Sequence, residues 1–299
     1  MNILITGSTG LIGSSLSHSL VQQKHRILAM VRKKPVFDDQ VYWDPTRSIL
    51  DAGKLEGLDA VIHLAGESIT GGRWTKKKKE RILESRIRGT RLLSKTLAGL
   101  ASPPGVFISA SATGYYGNRG DELLNESSGP GTGFLPELCR QWEKETEPAS
   151  TSGIRVVRLR TGIVLSEAGG ALDPMLPFFK LGLGGKIGNG RQYMSWIALT
   201  DLVGIIEYAL RTESLEGPVN AVSPNPVTNR VFAKTLGKIL SRPTIFFLPR
   251  VAARIVFGEM AEALLLASAR VVPLRLTGTS FRFQFTSLER ALRHSLPAV

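Results

Sequence analysis

Three glycines, Gly7, Gly10 and Gly13, stand three residues apart in "ITGSTGLIG", where one kind of hydrophobic pattern gives way to another. "NILIT" before them reads as a short buried strand, and Leu11 to Gln23 after them repeats its apolar residues with helical period. A turn from strand into helix leaves the first helical N–H groups bare, and glycines keep side chains from blocking them. Free N–H donors and the helix dipole both favour negative charge, so this context predicts a seat for the pyrophosphate of a dinucleotide. Three ordinary turn glycines are the alternative.

The second strand, "RILAMV", completes a βαβ unit and ends in Arg32-Lys33-Lys34. A carboxylate at that place would accept from the ribose 2′-hydroxyl of NAD, whereas an arginine accommodates the 2′-phosphate of NADP. No acid occurs until Asp38, so the expected cofactor is NADP, the alternative being surface charge at a strand end. Further strands are expected at 59–65, 105–110 and 154–160, with helices at about 75–100 and 134–149. Such alternation predicts the α/β class, a doubly wound parallel sheet with helices on both faces.

After Gly162 the chain becomes glycine-rich and apolar and reads as leaving the sheet. A helix over 201–210, capped by Thr200 or Asp201, and a strand over 217–222 are expected to return to it; Thr228 and Asn229 are cap candidates for a later helix. The expected division is a nucleotide-binding domain over 1–165, rejoined by 196–222, and a smaller substrate lobe with a helical C-terminal region over 166–299.

The formal charge of +13 suits anionic partners. The densest basic run, 75–91, places Ile82, Leu83, Ile87 and Leu92 on one helical face and reads as a solvated helix surface. Aromatics do not interleave with it, and no helix-turn-helix or zinc-finger pattern accompanies it, so no specific nucleic acid is expected. Peripheral contact with an anionic membrane stays open. The single cysteine, Cys139, and four scattered histidines predict no metal site. No apolar run reaches the ~18 residues of a membrane span, and Met1 leads straight into the first strand, so a reducing, cytoplasmic setting is the expectation. The oligomeric state is not legible.

Taken in order, the glycine turn, "DAVIHLAG" at 59–66, "RIRGTRLL" at 86–93 and "SASATGYYG" at 109–117 resemble an extended short-chain dehydrogenase/reductase of the nucleotide-sugar epimerase type, in the NAD-dependent epimerase/dehydratase superfamily. "AGESI" followed by "RW", "WE" at 142–143, "LRTGIVL", "LGLGGKIGNGRQYMSWI", "VSPNPVTN" and "FGEMAEALLLASARVVP" are similar to the epimerase-like branch that includes a human short-chain dehydrogenase family 39U protein. The resemblance implies a Rossmann domain with NADP along the strand ends and a small C-terminal substrate lobe. It implies Gly7, Gly10, Leu11, Ile12 and Gly13 at the pyrophosphate and Arg32 at the 2′-phosphate. Leu64, Ala65 and Gly66 would lie beside the adenine and ribose, and Arg86 matches a polar position ahead of the "GT" helix. Ala198 departs from the pattern, standing where relatives often keep a histidine.

Hydride-transfer enzymes of this superfamily use a Tyr-x-x-x-Lys pair on the helix after the fourth strand. Here that helix reads "FLPELCRQWEKE", and neither alignment, Leu135 with Cys139 or Cys139 with Glu143, restores the pair. No tyrosine in the chain has a lysine four residues on; Tyr115 meets Arg119. The loop therefore supplies the substitutes. Ser111 matches the family's substrate-orienting serine, and Tyr115 or Tyr116 offers a phenol for proton transfer. The alternative is that Ser111 and Thr113 bond the loop backbone while one tyrosine packs under the cofactor and the other lines the pocket. Glu143 reads as a helix residue paired with a nearby cation, and Cys139 as a buried apolar residue. Two functions remain. One is an NADP-dependent, epimerase-like oxidoreductase acting on a small oxygenated substrate, with the segment 180–195, carrying Lys186, Arg191 and Gln192, helping to close the pocket. The other is a non-catalytic NADP-binding regulatory or interaction protein.

Overall fold

A computed structural model describes residues 1–296. Strands β1 (Asn2–Thr6), β2 (Arg26–Val31), β3 (Gln40–Asp44), β4 (Ile49–Leu50), β5 (Ala60–His63), β6 (Val106–Ala112), β7 (Arg155–Thr161) and β8 (Gly217–Ala221) form one sheet in the order β8-β7-β6-β5-β1-β2-β3-β4. Every pairing is parallel except β3 with β4. Ile3 pairs with Ile27 on one side and Ala60 on the other, so the chain winds outward in both directions from the β1/β5 junction. This is a Rossmann-type fold, and its ligand crevice lies at the carboxyl ends of the strands where the order reverses.

Strand side chains alternate between two covered faces, which is why apolar residues occupy both faces of β1, β5 and the start of β6. Ile3, Ile5, Ile62 and Ile108 pack beneath helices α1 (Leu11–Gln22) and, later in the chain, Leu199–Arg211. Leu4, Val61 and Phe107 pack on the other face against Leu93 and Leu97 of α2 (Lys76–Ala98). Each fully buried aliphatic or aromatic side chain contributes about 1.5–3 kcal/mol. Thr75 caps α2 by accepting from the Lys78 N–H. The face of α2 that is buried differs from the one expected: Ile82 is on it, but Gly89, Thr90, Leu93, Ser94 and Leu97 make up the rest. Small and hydroxyl residues are used because neighbours come close. A Cβ on Gly89 would sit 3.2 Å from the Trp43 ring, and Thr90 accepts from Trp142 Nε1 at 2.9 Å.

The helix expected over 134–149 is two helices, α3 (Phe134–Lys144) and a short one at Glu147–Thr151, because Pro148 has no N–H to continue the ladder. Leu199–Arg211 is α4 and leads to β8 at the sheet edge. Asp201 does not cap it. The cap position is Ala198, and the buried Asp201 carboxylate instead accepts from the N–H groups of Gln284 (2.7 Å) and Phe285 (3.0 Å), tying α4 to the C-terminal segment. Burial raises its pKa despite those bonds.

A second core gathers Leu165, Phe179, Trp196, Phe232, Leu236 and Leu292. Its framework is α5 (Asn229–Ile239), capped by Thr228, and the parallel pairing of Ile163–Leu165 with Trp196–Ala198. Helix α6 (Arg250–Phe257) and helix α7 (Leu288–Ser295) follow.

Candidate cofactor and active site

At the β1/β5 junction the glycine turn folds against the end of β5. Gly7 has φ +70°, and a Cβ there would lie 3.0 Å from both Leu64 C and Ala65 N. A Cβ on Gly13 would meet Gly7 O at 2.2 Å, so the first turn of α1 can seat this closely only without that side chain. Gly10 is the N-cap, no side chain caps α1, and no acid lies in its first turn. The ends of β1 and β5 are clasped by Thr6, whose Oγ1 accepts from Leu64 N and Ala65 N, both at 3.1 Å, and lies 2.7 Å from His63 Nδ1. With both lone pairs used, the Thr6 hydroxyl proton goes to Nδ1, which assigns the ring proton of His63 to Nε2. His63 is fully buried; burial, then the charge of Arg86, pushes its pKa down to about 4, so the ring is neutral.

The fold thus brings Gly7, Gly10, Leu11, Ile12, Gly13, Leu64 and Ala65 to one crevice edge. Gly66 follows, and a Cβ on it would sit 3.3 Å from Arg86 Cζ. Arg86 is held from below: its Nη1 donates to Glu67 O (2.9 Å) and Ile82 O (3.2 Å), and its guanidinium lies 5.0 Å from the Trp142 ring centroid. Arg32 is exposed one residue past β2. Glu67 lies at this cationic rim: a hydrogen bond from Lys78 at 3.0 Å, then the charges of Lys78, Arg81 and Arg32, hold its pKa low. Lys78 and Arg81, in the run that reads from sequence as a solvated helix surface, are both paired with Glu67 at this rim.

Ser111 and Tyr116 belong to a buried polar chain rather than to an open pocket. Ser111 Oγ donates to Glu143 Oε1 at 2.7 Å; Glu143 on α3 receives Arg160 Nε and Nη2 of β7, both at 2.8 Å. Arg160 Nη1 donates to Tyr116 Oη at 3.0 Å, and Tyr116 Oη lies 2.7 Å from Asn220 Oδ1 on β8. Tyr116 has no exposed surface and packs with Leu124, Val222 and Val271. Burial raises its pKa. The expectation that Tyr116 serves as a catalytic phenol is therefore corrected: its hydroxyl is consumed inside the core. Ser111, 4% exposed, spends its proton on Glu143. Tyr115 differs. It is partly exposed, edge-on to Tyr116 at 5.3 Å, with the Arg160 guanidinium 3.5 Å from its ring centroid, and its hydroxyl bonds no described residue. Cys139 is buried beside this chain, and burial, then the Glu143 charge, pushes its thiol up to about 12.

A cavity of about 670 Å³ lies between the loop after Tyr116 and the C-terminal lobe, lined by Asn118, Asp121, Arg191, Gln192, Phe247 and Ser268 among others. Gln192 Nε2 braces its wall by donating to Ile187 O (3.1 Å) and Leu265 O (2.9 Å). Lys186 does not line it; its Nζ lies 5.8 Å from the Phe247 ring centroid. Among the described residues no group of three or more His, Cys, Asp or Glu side chains is arranged to hold a metal ion. Nor is any described helix long and apolar enough to cross a membrane.

Residues 3–222 match the family model of the NAD dependent epimerase/dehydratase family. The chain belongs to that family. Residues 248–295 match a second model, a domain of unknown function (DUF1731). An epimerase family protein of Mycobacterium bovis is 43% identical over 98% of this chain and 97% of its own length. The human epimerase family protein SDR39U1 is 34% identical over 98% of this chain and 99% of its own. A crystal structure of human SDR39U1 (isoform 2) with NADPH superposes with a TM-score of 0.91 at 33% identity, covering 98% of each chain. A nucleoside-diphosphate sugar epimerase from Corynebacterium glutamicum gives a TM-score of 0.81 at 39% identity, over 99% of this chain and 58% of that one. Nearly the whole length of the chain, 98% of it, is therefore shared with members of the family.

Proposed function

We propose that this protein is an NADP-dependent, epimerase-like oxidoreductase acting on a small oxygenated substrate. The observation that carries the reading is the bare N-terminus of α1 at the β1/β5 junction: no side chain caps it, no acid stands in its first turn, and Gly7 and Gly13 let the turn lie closer to Leu64, Ala65 and its own backbone than any Cβ would allow. Arg32 past β2, with no carboxylate there, favours the 2′-phosphorylated cofactor, and the NADPH held by human SDR39U1 supports the same choice. The N–H groups of Leu11, Ile12 and Gly13 would bind the pyrophosphate, and Leu64, Ala65 and Gly66 would flank the adenosine. When bound, the cofactor supplies or accepts a hydride.

The chain itself supplies the proton. Tyr115 is the phenol of the loop whose hydroxyl bonds no other described residue, so its O–H is free to protonate a carbonyl oxygen as the carbon receives a hydride. That favours reduction of a carbonyl. Ser111 acts through Glu143 as a positioning residue, and the cavity beside Arg191 takes the substrate. The division into a nucleotide-binding domain over 1–165 with 196–222 and a substrate lobe over 166–299 goes with this reading and is supported by the second, separate core. A non-catalytic NADP-binding protein is the second reading, favoured by the burial of Cys139 and Glu143 on α3, where no Tyr-x-x-x-Lys pair stands.

The test is nucleotide-stripped protein titrated with NADPH, then assayed for NADPH oxidation across a panel of carbonyl compounds. Tyr115→Phe is expected to keep the NADPH affinity and lose at least ~100-fold in turnover, the usual scale for a lost general acid. Failure of NADPH to bind overturns the proposal. Binding with no turnover on any compound leaves the non-catalytic reading standing.

A further inference from the structure

Positive charge is unevenly spread along this chain. Between Asp173 and Asp201, and again between Glu216 and Glu259, there is no aspartate or glutamate, while these two stretches carry nine lysines and arginines. The fold joins them. Gly185–Ile187 pairs in parallel with Phe246–Leu248, Arg242 Nε donates to Lys180 O at 2.8 Å, and Gly182 lies against Pro243.

What the joined segments present to solvent is apolar. Phe178, Leu181, Leu183, Ile245, Phe246 and Phe247 are each at least half exposed, Leu181 at 74% and Ile245 at 79%. Isolated exposed apolar residues are ordinary; a set drawn from two paired segments marks an interaction surface. Phe246 and Phe247 lie on opposite faces of their strand and both are at least half exposed, Phe247 also lining the cavity beside Arg191. Ion pairs nearby use Arg250 and Arg254 with Glu262 and Lys238 with Glu289. Lys180, Lys186 and Arg242 have no carboxylate partner among the described residues.

We propose that this face docks on an anionic lipid bilayer, its aliphatic and aromatic tips entering the boundary between headgroups and acyl chains while Lys180, Lys186 and Arg242 meet lipid phosphates. Charge complementarity decides the occupant. A second copy of the chain would bring the same uncompensated cations to the contact, and a nucleic acid would leave the aliphatic tips unsatisfied. An anionic bilayer satisfies both the apolar tips and their cationic border.

The test is co-sedimentation of the full-length protein with phosphatidylcholine vesicles, with and without added phosphatidylserine, at low and high salt. Binding is expected only with phosphatidylserine and is reversed by salt. Lys180→Glu with Arg242→Glu is expected to weaken it at least ~10-fold, since each basic residue near such a surface adds a several-fold factor. Leu181→Ser with Ile245→Ser is expected to weaken it comparably, the folded state of both variants being checked by unchanged Tm. The proposal is overturned by no binding to phosphatidylserine vesicles at low salt, by binding that either double variant leaves unaltered, or by a wild-type dimer that the Leu181/Ile245 variant converts to monomer.

Discussion

Arg160 and Glu143 meet inside the protein as a two-pronged ion pair, Nε and Nη2 each 2.8 Å from one carboxylate oxygen, with both side chains less than a tenth exposed. Burial alone would lower the pKa of Arg160, but the hydrogen bonds and charge of Glu143 outweigh it and raise the value. Glu143→Gln strands that cation in the core. The expected cost is about 3–5 kcal/mol in urea denaturation, whereas Glu143→Leu with Arg160→Met removes both charges and is expected to cost less than either single change. A double variant less stable than both singles would contradict this account.

The adjacent tyrosines are expected to separate cleanly. Tyr116→Phe leaves Asn220 Oδ1 and Arg160 Nη1 without their partner in the core and should cost about 1–3 kcal/mol with NADPH binding intact. Tyr115→Phe breaks no hydrogen bond to a described residue, so its stability should stay within about 0.5 kcal/mol of the parent. Paired urea melts of the two variants decide it.

His63 makes stability depend on pH. Its folded pKa of about 4 lies below the 6.5 of a free imidazole, so between those values the unfolded chain binds more protons. The contribution is complete above the unfolded pKa and declines as the pH falls toward the folded one. Between about pH 7 and pH 5 it should cost about 2 kcal/mol, a slope that His63→Asn is expected to flatten. Denaturant midpoints across that window give the answer.

Nucleotide choice should rest on Arg32. Calorimetric titration of Arg32→Ala is expected to show NADPH affinity at least ~10-fold weaker, about 1.4 kcal/mol, with NADH affinity unchanged. Equal losses for both nucleotides would assign the arginine to something other than the 2′-phosphate.

The strand, the turn of Gly7, Gly10 and Gly13, and the helix after it were legible because their causes are local: apolar period, backbone freedom and bare N–H groups all act within a few residues. The position of Arg32 one residue past β2 was legible for the same reason, since that strand end's place in a βαβ unit is set by the neighbouring turn. The polar chain through Ser111, Glu143, Arg160, Tyr116 and Asn220 was not. Arg160 and Glu143 are 17 residues apart, and Tyr116 and Asn220 are 104 apart. Nothing local names the partner of Arg160, which depended on β6 and β8 flanking β7 and on α3 lying alongside. Tyr115 and Tyr116 are chemically identical neighbours in one turn. Only the packing of distant segments around that turn decided which phenol is buried and which is left free, because burial depends on what surrounds a side chain and not on its own sequence position.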